Sequence, residues 1–470
     1  MKKTLVPILF LALLAFPAAA QQTTDTDKRI QELEKQVQEL QKQQKAAAKA
    51  ATAAAPAEGK AKAEDKEAAK PKKTKGLELK TVTDKGQLYW ESADGAYKFR
   101  LCGRVQFDGA FFSGNENRLS NGVTLRRARI GYKATIAKDW ISEFDVDFAE
   151  NAVDIKDAFI GYQGLDNTTI QAGHFKVPFG YDTLTSSKDI WFVERAYVDA
   201  WTPDRRLGGA VYYGTDRWMA AADFFGQTIS VDSTGIDQGW GWAARVTGAP
   251  IMQASNKAVH LGFAANMRKP DAATTGASGL APIVYATDFS SRPEVTKVSK
   301  AKFLNSGTMN EVDWVQQYGA EFAGVWGPFA WQSEYQWTTV TRRDGNPTLV
   351  DHDFNGWYGQ VAWLISGSRK YGANEGLMKR VEPTGKWGAV EFLARYSTMD
   401  LNDITTIDPI KGGSAQNFTL GVNWYPNYNF RVMLNYTHVN NDEYAKPKSA
   451  YGGKTNDDFD EFQFRIQFMF

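Results

Sequence analysis

The chain has 470 residues, a formal net charge of +1, a single cysteine and 13% aromatic residues. The lone Cys102 excludes an intrachain disulfide framework, and no run of about 18 apolar residues follows the N-terminus, which excludes a helical membrane protein. A transmembrane β-barrel stays open, because its membrane face is hidden in alternation and its average composition is polar.

In chain order, residues 1–20 read as a secretory signal. Lys2 and Lys3 form the charged start, Leu5 to Phe16 the apolar region, and Ala18, Ala19 and Ala20 the small-residue cleavage site. Across residues 21–45, Ile30, Leu33, Val37 and Leu40 fall at heptad spacing, which suits either a short coiled coil or a solvated amphipathic helix. Residues 46–75 are an Ala/Lys-rich flexible linker that cannot bury enough apolar area to fold alone. Residues 21–75 are expected to form a periplasmic arm whose lysines touch peptidoglycan or simply stay solvated. This arm is net positive, and the remainder, 76–470, is net negative.

From about Tyr97 the pattern becomes strand, turn, strand. Sixteen segments begin near Tyr97, Gly122, Trp140, Val153, Thr169, Leu207, Arg217, Gly239, Ala258, Val312, Phe329, Phe354, Lys386, Gln416, Asn429 and Glu461. Short turns such as Gly327-Pro328 alternate with long polar connections such as Lys269 to Glu311 and Gly367 to Gly385. That asymmetry predicts a 16-stranded antiparallel barrel over 76–470, with turns in the periplasm and long loops outside. The closing segment alternates Phe462, Phe464, Ile466, Phe468 and Phe470 with polar residues, the period of a strand with one dry face. Its length and aromatic terminal residue place it in the outer membrane of a Gram-negative cell, with lipid as its surroundings.

Parity assigns faces. Phe99, Leu101, Val105, Phe107 and Phe111 share the lipid face of the first segment, so Arg100, Arg104, Gln106 and Asp108 face the lumen. In the second, Ala128, Ile130, Tyr132 and Ile136 face lipid, and Arg127, Arg129 and Lys133 face the lumen. Arg126 has the wrong parity and requires a bulge to reach the inside. A charge on the lipid face costs about 2–4 kcal/mol at the midplane, which is why parity binds these residues. The segments at 153–163 and 169–176 show no clean parity.

The ordered set Leu101-Cys102-Gly103-Arg104, Leu125-Arg126-Arg127-Ala128, Gly173-His174-Phe175-Lys176-Val177-Pro178-Phe179-Gly180, Thr185-Ser186-Ser187-Lys188, Glu194-Arg195, Ser291-Arg292-Pro293-Glu294 and Leu420-Gly421-Val422-Asn423-Trp424-Tyr425 resembles the phosphate-selective porin O and P family. The resemblance implies a homotrimer of 16-stranded barrels that passes phosphate or polyphosphate anions. It also implies a constriction made by an inward-folded third loop, here Val177 to Arg206. Its pore arginines fall on Arg104, Arg126 and Arg127, its loop hydroxyls on Ser186 and Ser187 with Lys188 beside them, and Arg100 replaces a periplasmic-side lysine. The anion-gathering loop charges fall on Arg292, Lys297, Lys300 and Lys302. Arginine suits phosphate because its planar fork donates two hydrogen bonds at once.

The chain departs from that pattern at Thr183, where the family has a central lysine, and at Lys156, where it has an acid. These departures keep open a general diffusion porin or one preferring carboxylates or sugars, and the arm keeps open an envelope anchor. None of the four histidines sits in a Gly-x-Ser-x-Gly elbow, an H-E-x-x-H helix or a cysteine cluster, so no enzyme is expected. No cofactor, metal or nucleic-acid partner is expected either, since no phosphate-cradling glycine fingerprint opens a helix.

Overall fold

The computed structural model describes residues 78–84, 86–229, 237–274, 283–343 and 346–470, together with Lys35. The expected signal (1–20) and linker (46–75), and the coiled-coil segment (21–45) apart from Lys35, lie outside the described residues.

Sixteen antiparallel strands form one closed ring: β1 Lys98–Ser113, β2 Gly122–Ile136, β3 Trp140–Asp147, β4 Asp154–Leu165, β5 Thr168–Lys176, β6 Arg205–Gly214, β7 Trp218–Phe225, β8 Gly241–Ala254, β9 Lys257–Arg268, β10 Val312–Trp326, β11 Phe329–Arg342, β12 His352–Leu364, β13 Ala389–Asp403, β14 Ile410–Tyr425, β15 Phe430–Asn441 and β16 Phe459–Met469. Each strand pairs with its successor, and β16 closes on β1 from Asp460↔Ser113 to Met469↔Arg104. Closure removes every unpaired edge of the ring, the condition for a sheet that crosses lipid. The expected sixteen strands are present; fifteen start within three residues of their sequence assignment, and β14, expected near Gln416, starts six residues earlier at Ile410.

Period-two alternation builds the wall. Along β16, Phe462, Ile466 and Phe468 are exposed, whereas Glu461, Gln463, Arg465 and Gln467 are buried inward. The same alternation puts Phe107 and Phe111 outside and Gln106 and Asp108 inside on β1. Gly103 on β1 accommodates a close approach, because a Cβ there would lie 2.7 Å from the Arg129 carbonyl oxygen and 2.5 Å from the Phe470 ring.

Before the ring, a hairpin of Leu79–Asp84 and Gln87–Ser92 joins β1 through Trp90↔Phe99 and Glu91↔Lys98. Asn429 Nδ2, in the turn between β14 and β15, donates to the Gly86 carbonyl at 2.9 Å, so the hairpin sits at the short-turn end.

Two expectations change. The long connection Gly367 to Gly385, expected in the outer set, lies within 365–388, which joins β12 to β13 and therefore leaves the ring at the end of the short turns 137–139, 327–328 and 426–429. Loop length is a tendency, whereas antiparallel order leaves no choice of side. The unclear parity of β4 also has a cause. Asp145 pairs with Asp157 but Val146 with Ile155, so Lys156 is an extra, bulged residue, and a second shift follows between Tyr162 and Leu165.

Candidate functional site

The connection between β5 and β6, residues 177–204, carries a short helix, α1 Tyr181–Leu184, and a 3-10 turn Tyr197–Trp201. A buried connection must find partners for its backbone groups, and inward side chains of distant strands supply them. Glu334 on β11 accepts the Tyr181 and Asp182 N–H groups at 3.1 and 3.4 Å. Arg431 on β15 donates to the Ile190 and Trp191 carbonyls at 2.6 and 3.0 Å, and Asn423 on β14 donates to Trp191 at 2.9 Å. Gln467 donates to the Lys188 carbonyl at 3.1 Å and Gln106 to the Ser187 carbonyl at 3.0 Å.

Two further connections meet this segment. Glu294, between β9 and β10, pairs with Arg395 at 2.6 Å and accepts the Tyr197 N–H at 2.8 Å. From the short-turn end, Arg380 pairs with Asp189 at 2.7 Å, the Met378 N–H donates to the Tyr181 hydroxyl at 3.0 Å, and the Arg369 guanidinium lies 4.4 Å from the Trp191 ring centre.

What stays open is a cavity of about 870 Å³ between this segment and the inward faces of β1 to β7. Its lining includes twelve basic side chains and nine carboxylates. All nine carboxylates have a cationic nitrogen within 4.0 Å, as in Arg104–Asp145 (3.2 Å), Arg129–Asp147 (2.8 Å), Arg205–Asp157 (2.9 Å) and Lys297–Glu150 (2.9 Å). Among the described residues, three of the lining cations have no carboxylate partner: Arg127, Lys176 and Lys188.

The sequence-assigned residues separate into groups. Arg104, Arg126, Arg127, Ser186, Ser187 and Lys188 all line this cavity. Arg104 donates to Ser187 Oγ at 2.6 Å, which ties the wall to the loop. Gln106 pairs with Arg127 and Phe107 with Leu125, so Arg126 is the bulged residue that its parity required. Arg126 then makes a two-pronged contact with Glu194, at 2.6 and 3.2 Å, and serves as a brace. Arg127 is 4% exposed and, among the described residues, bonds only Gln106 at 2.8 Å and leaves its buried Nε without a partner.

Arg100 is not brought to the others. It donates to Gln87 at 2.5 Å, packs over Tyr89 and lines a separate cavity of about 360 Å³ beside the N-terminal hairpin. The loop cations also divide. Lys297 is held by Glu150, Lys300 is exposed, and Arg292 and Lys302 line a cavity of about 240 Å³ together with Glu194 and Glu294. At the two departures, Thr183 turns its hydroxyl onto Asp199 at 2.6 Å, and Lys156 is bound by Asp154.

Loop electrostatics follow from this packing. Burial, reinforced by nearby Arg104, pushes the Lys188 ammonium down to about 8. Burial by itself would raise the Glu194 carboxyl, yet Arg126, Arg127 and Arg465 hold it well below the usual carboxylate range. Asp189 behaves likewise under Arg380 and Lys188.

Sequence reasoning missed Lys176, whose ammonium reaches the loop carbonyls from the end of β5. Its signal was its place in the Gly173 to Gly180 motif, at the junction of wall and loop. It also left unassigned the role of Arg465, which is fully buried, bonds both oxygens of Asp108 at 2.7 and 2.6 Å, and reaches Glu194 at 3.4 Å.

Comparison with known proteins agrees with this architecture. A family model described as phosphate-selective porin O and P matches residues 99–470. Porin O of Pseudomonas aeruginosa is 26% identical over 421 residues, covering 84% of this chain and 94% of that protein. An uncharacterised protein of Caulobacter vibrioides is 25% identical over 374 residues, 76% of this chain and 71% of that one. Among solved structures, a loop L8 deletion mutant of OmpT, an outer-membrane protein of Vibrio cholerae, superposes with a TM-score of 0.51 at 11% identity. It covers 80% of this chain and 100% of that one, a likeness of fold alone.

Proposed function

The chain belongs to the phosphate-selective porin O and P family and is an outer-membrane porin of a Gram-negative bacterium, and from that premise we propose that it passes small anions, phosphate among them, by diffusion. The single observation that carries this reading is the charge inventory of the cavity. Among the described residues every lining carboxylate is engaged by a cation, and Arg127, Lys176 and Lys188 are left over. In a passage with low-dielectric walls, a few uncompensated charges decide which ion enters, whatever the net charge of the chain.

In this reading the 177–204 segment is the constriction. Arg127 and Lys188 are the ligands, because each lines the cavity and has no carboxylate partner among the described residues, and Ser187 with Arg104 holds the loop beside them. An anion there exchanges part of its hydration shell for two or three charge-assisted hydrogen bonds, few enough to let it leave again. Arg126 is assigned to bracing, and three copies are assigned to the assembly on the strength of the family.

Single channels of the purified protein in planar bilayers test the reading. Under a potassium chloride gradient the reversal potential should report anion preference, and added phosphate should lower the chloride current. A cation-selective reversal potential, or chloride current indifferent to phosphate, would overturn it.

A further inference from the structure

We propose that Lys176 sets the anion preference of the passage as a fixed charge that acts through its field and never as a ligand. The proposal rests on the anion-channel reading above.

Lys176 is the last residue of β5, and its Nζ donates to the carbonyl oxygens of Thr183, Leu184 (3.5 Å) and Thr185 (3.3 Å). These are the last carbonyls of α1 and its cap, the end of a helix that a cation suits. An ammonium has three N–H groups. Three neutral oxygens therefore occupy its donors and leave none for an ion in transit.

Neutral oxygens do not cancel the charge. No carboxylate stands within ion-pair distance of Lys176 among the described residues, and the side chain lines the cavity. Arg195 grips the same turn from the other side, donating to the Asp182 and Thr185 carbonyls at 2.7 and 2.6 Å, but Asp199 lies 3.6 Å from it and offsets its charge. Among the described residues Lys176 has no carboxylate at that distance, Asp157 and Asp204 being engaged by Arg205. Arg127 and Lys188 also line the cavity with no carboxylate partner among the described residues, and in this proposal they are the ones that touch the ion.

Selectivity and binding should therefore separate. Removing the Lys176 charge should lower the anion-to-cation permeability ratio about three-fold, the scale of one unit charge acting across several ångströms of partly screened space. Phosphate block should stay close to that of the native channel, since no ligand is lost.

The test replaces the only cysteine first, as Cys102→Ser, and then introduces Lys176→Cys in the full-length channel. The permeability ratio should fall, return when an aminoethyl methanethiosulfonate restores a positive charge, and remain low with the neutral methyl reagent. Lys176→Gln, which keeps a donor for the carbonyls and drops the charge, should show the same fall, and Lys176→Arg should keep the ratio. An unchanged ratio in Lys176→Gln would overturn the proposal, as would equal effects of the aminoethyl and methyl reagents, which would make Lys176 a loop tether only. A native channel without anion preference would remove the earlier reading and this proposal together.

Discussion

The two sides of the lumen differ by one arginine: both commit arginines to acceptors of the wall and loop, but among the described residues the β1 to β7 side leaves Arg127 without a carboxylate. Against β11 to β16, each of three arginines is held by at least two acceptors, although among the described residues each leaves one buried nitrogen unpaired: Arg465 grips both oxygens of Asp108, Arg395 grips Glu294 and the Glu194 carbonyl, and Arg431 caps the Ile190 and Trp191 carbonyls. Against β1 to β7, Arg127 lines the cavity and, among the described residues, meets an amide oxygen and no carboxylate. A buried guanidinium holds a loop where carboxylates or carbonyls reach it, and becomes available to an ion only where they do not. Arg126 lies beside Arg127 in sequence yet belongs with the braces, because Glu194 reaches it.

The sharpest way to break the contrast is to remove a brace. Arg465→Ala strands Asp108 without its partner in a fully buried site, and losing one member of such a pair costs about 3–5 kcal/mol. The expected outcome is a large fall in the temperature at which the barrel loses its heat-modifiable gel mobility. Substituting both partners with neutral residues of similar size should recover most of it.

A smaller effect is expected from Arg431→Ala, which uncouples the loop without leaving a buried charge. Each lost donor to a buried carbonyl costs about 1–3 kcal/mol, so the 177–204 segment should loosen. Single-channel traces should show higher and noisier conductance, and a quiet, unchanged conductance would mean that Asn423 and Gln467 suffice to hold it.

On the open side, Arg127→Ala should leave melting almost untouched. Losing one charge-assisted hydrogen bond, about 1.5–3 kcal/mol, should weaken phosphate block about ten-fold or more. If melting falls as far as in Arg465→Ala, Arg127 is a brace and the division between the two sides fails.

The mildest change is in pH. Lys188 has its ammonium lowered to about 8 by burial and nearby Arg104, so it is mostly charged at pH 7 and mostly neutral by pH 9. Anion preference should decline over that interval, and the decline should vanish in Lys188→Met. A flat profile in the native channel would place Lys188 off the ion's path.

Strand number and faces were legible because period-two alternation is a local signal that the lipid enforces: Phe107 out and Asp108 in follow from the cost of burying a charge in hydrocarbon. The bulge at Arg126 was legible for the same reason, as a break in parity. Sequence also brought Arg104, Arg127, Ser187 and Lys188 to one place through the motifs that carry the family resemblance. Their roles were not legible, since they depend on partners far along the chain. Arg126 meets Glu194 across 68 positions and Arg465 meets Asp108 across 357. Lys176 reads as one more basic residue at a strand end until the turn at 183–185 folds back over it. Periodicity by itself determined the wall, because each strand answers to its own two faces. Only the tertiary structure decided which positive charges remain free, because charge compensation is set by distance in space and no local pattern encodes it.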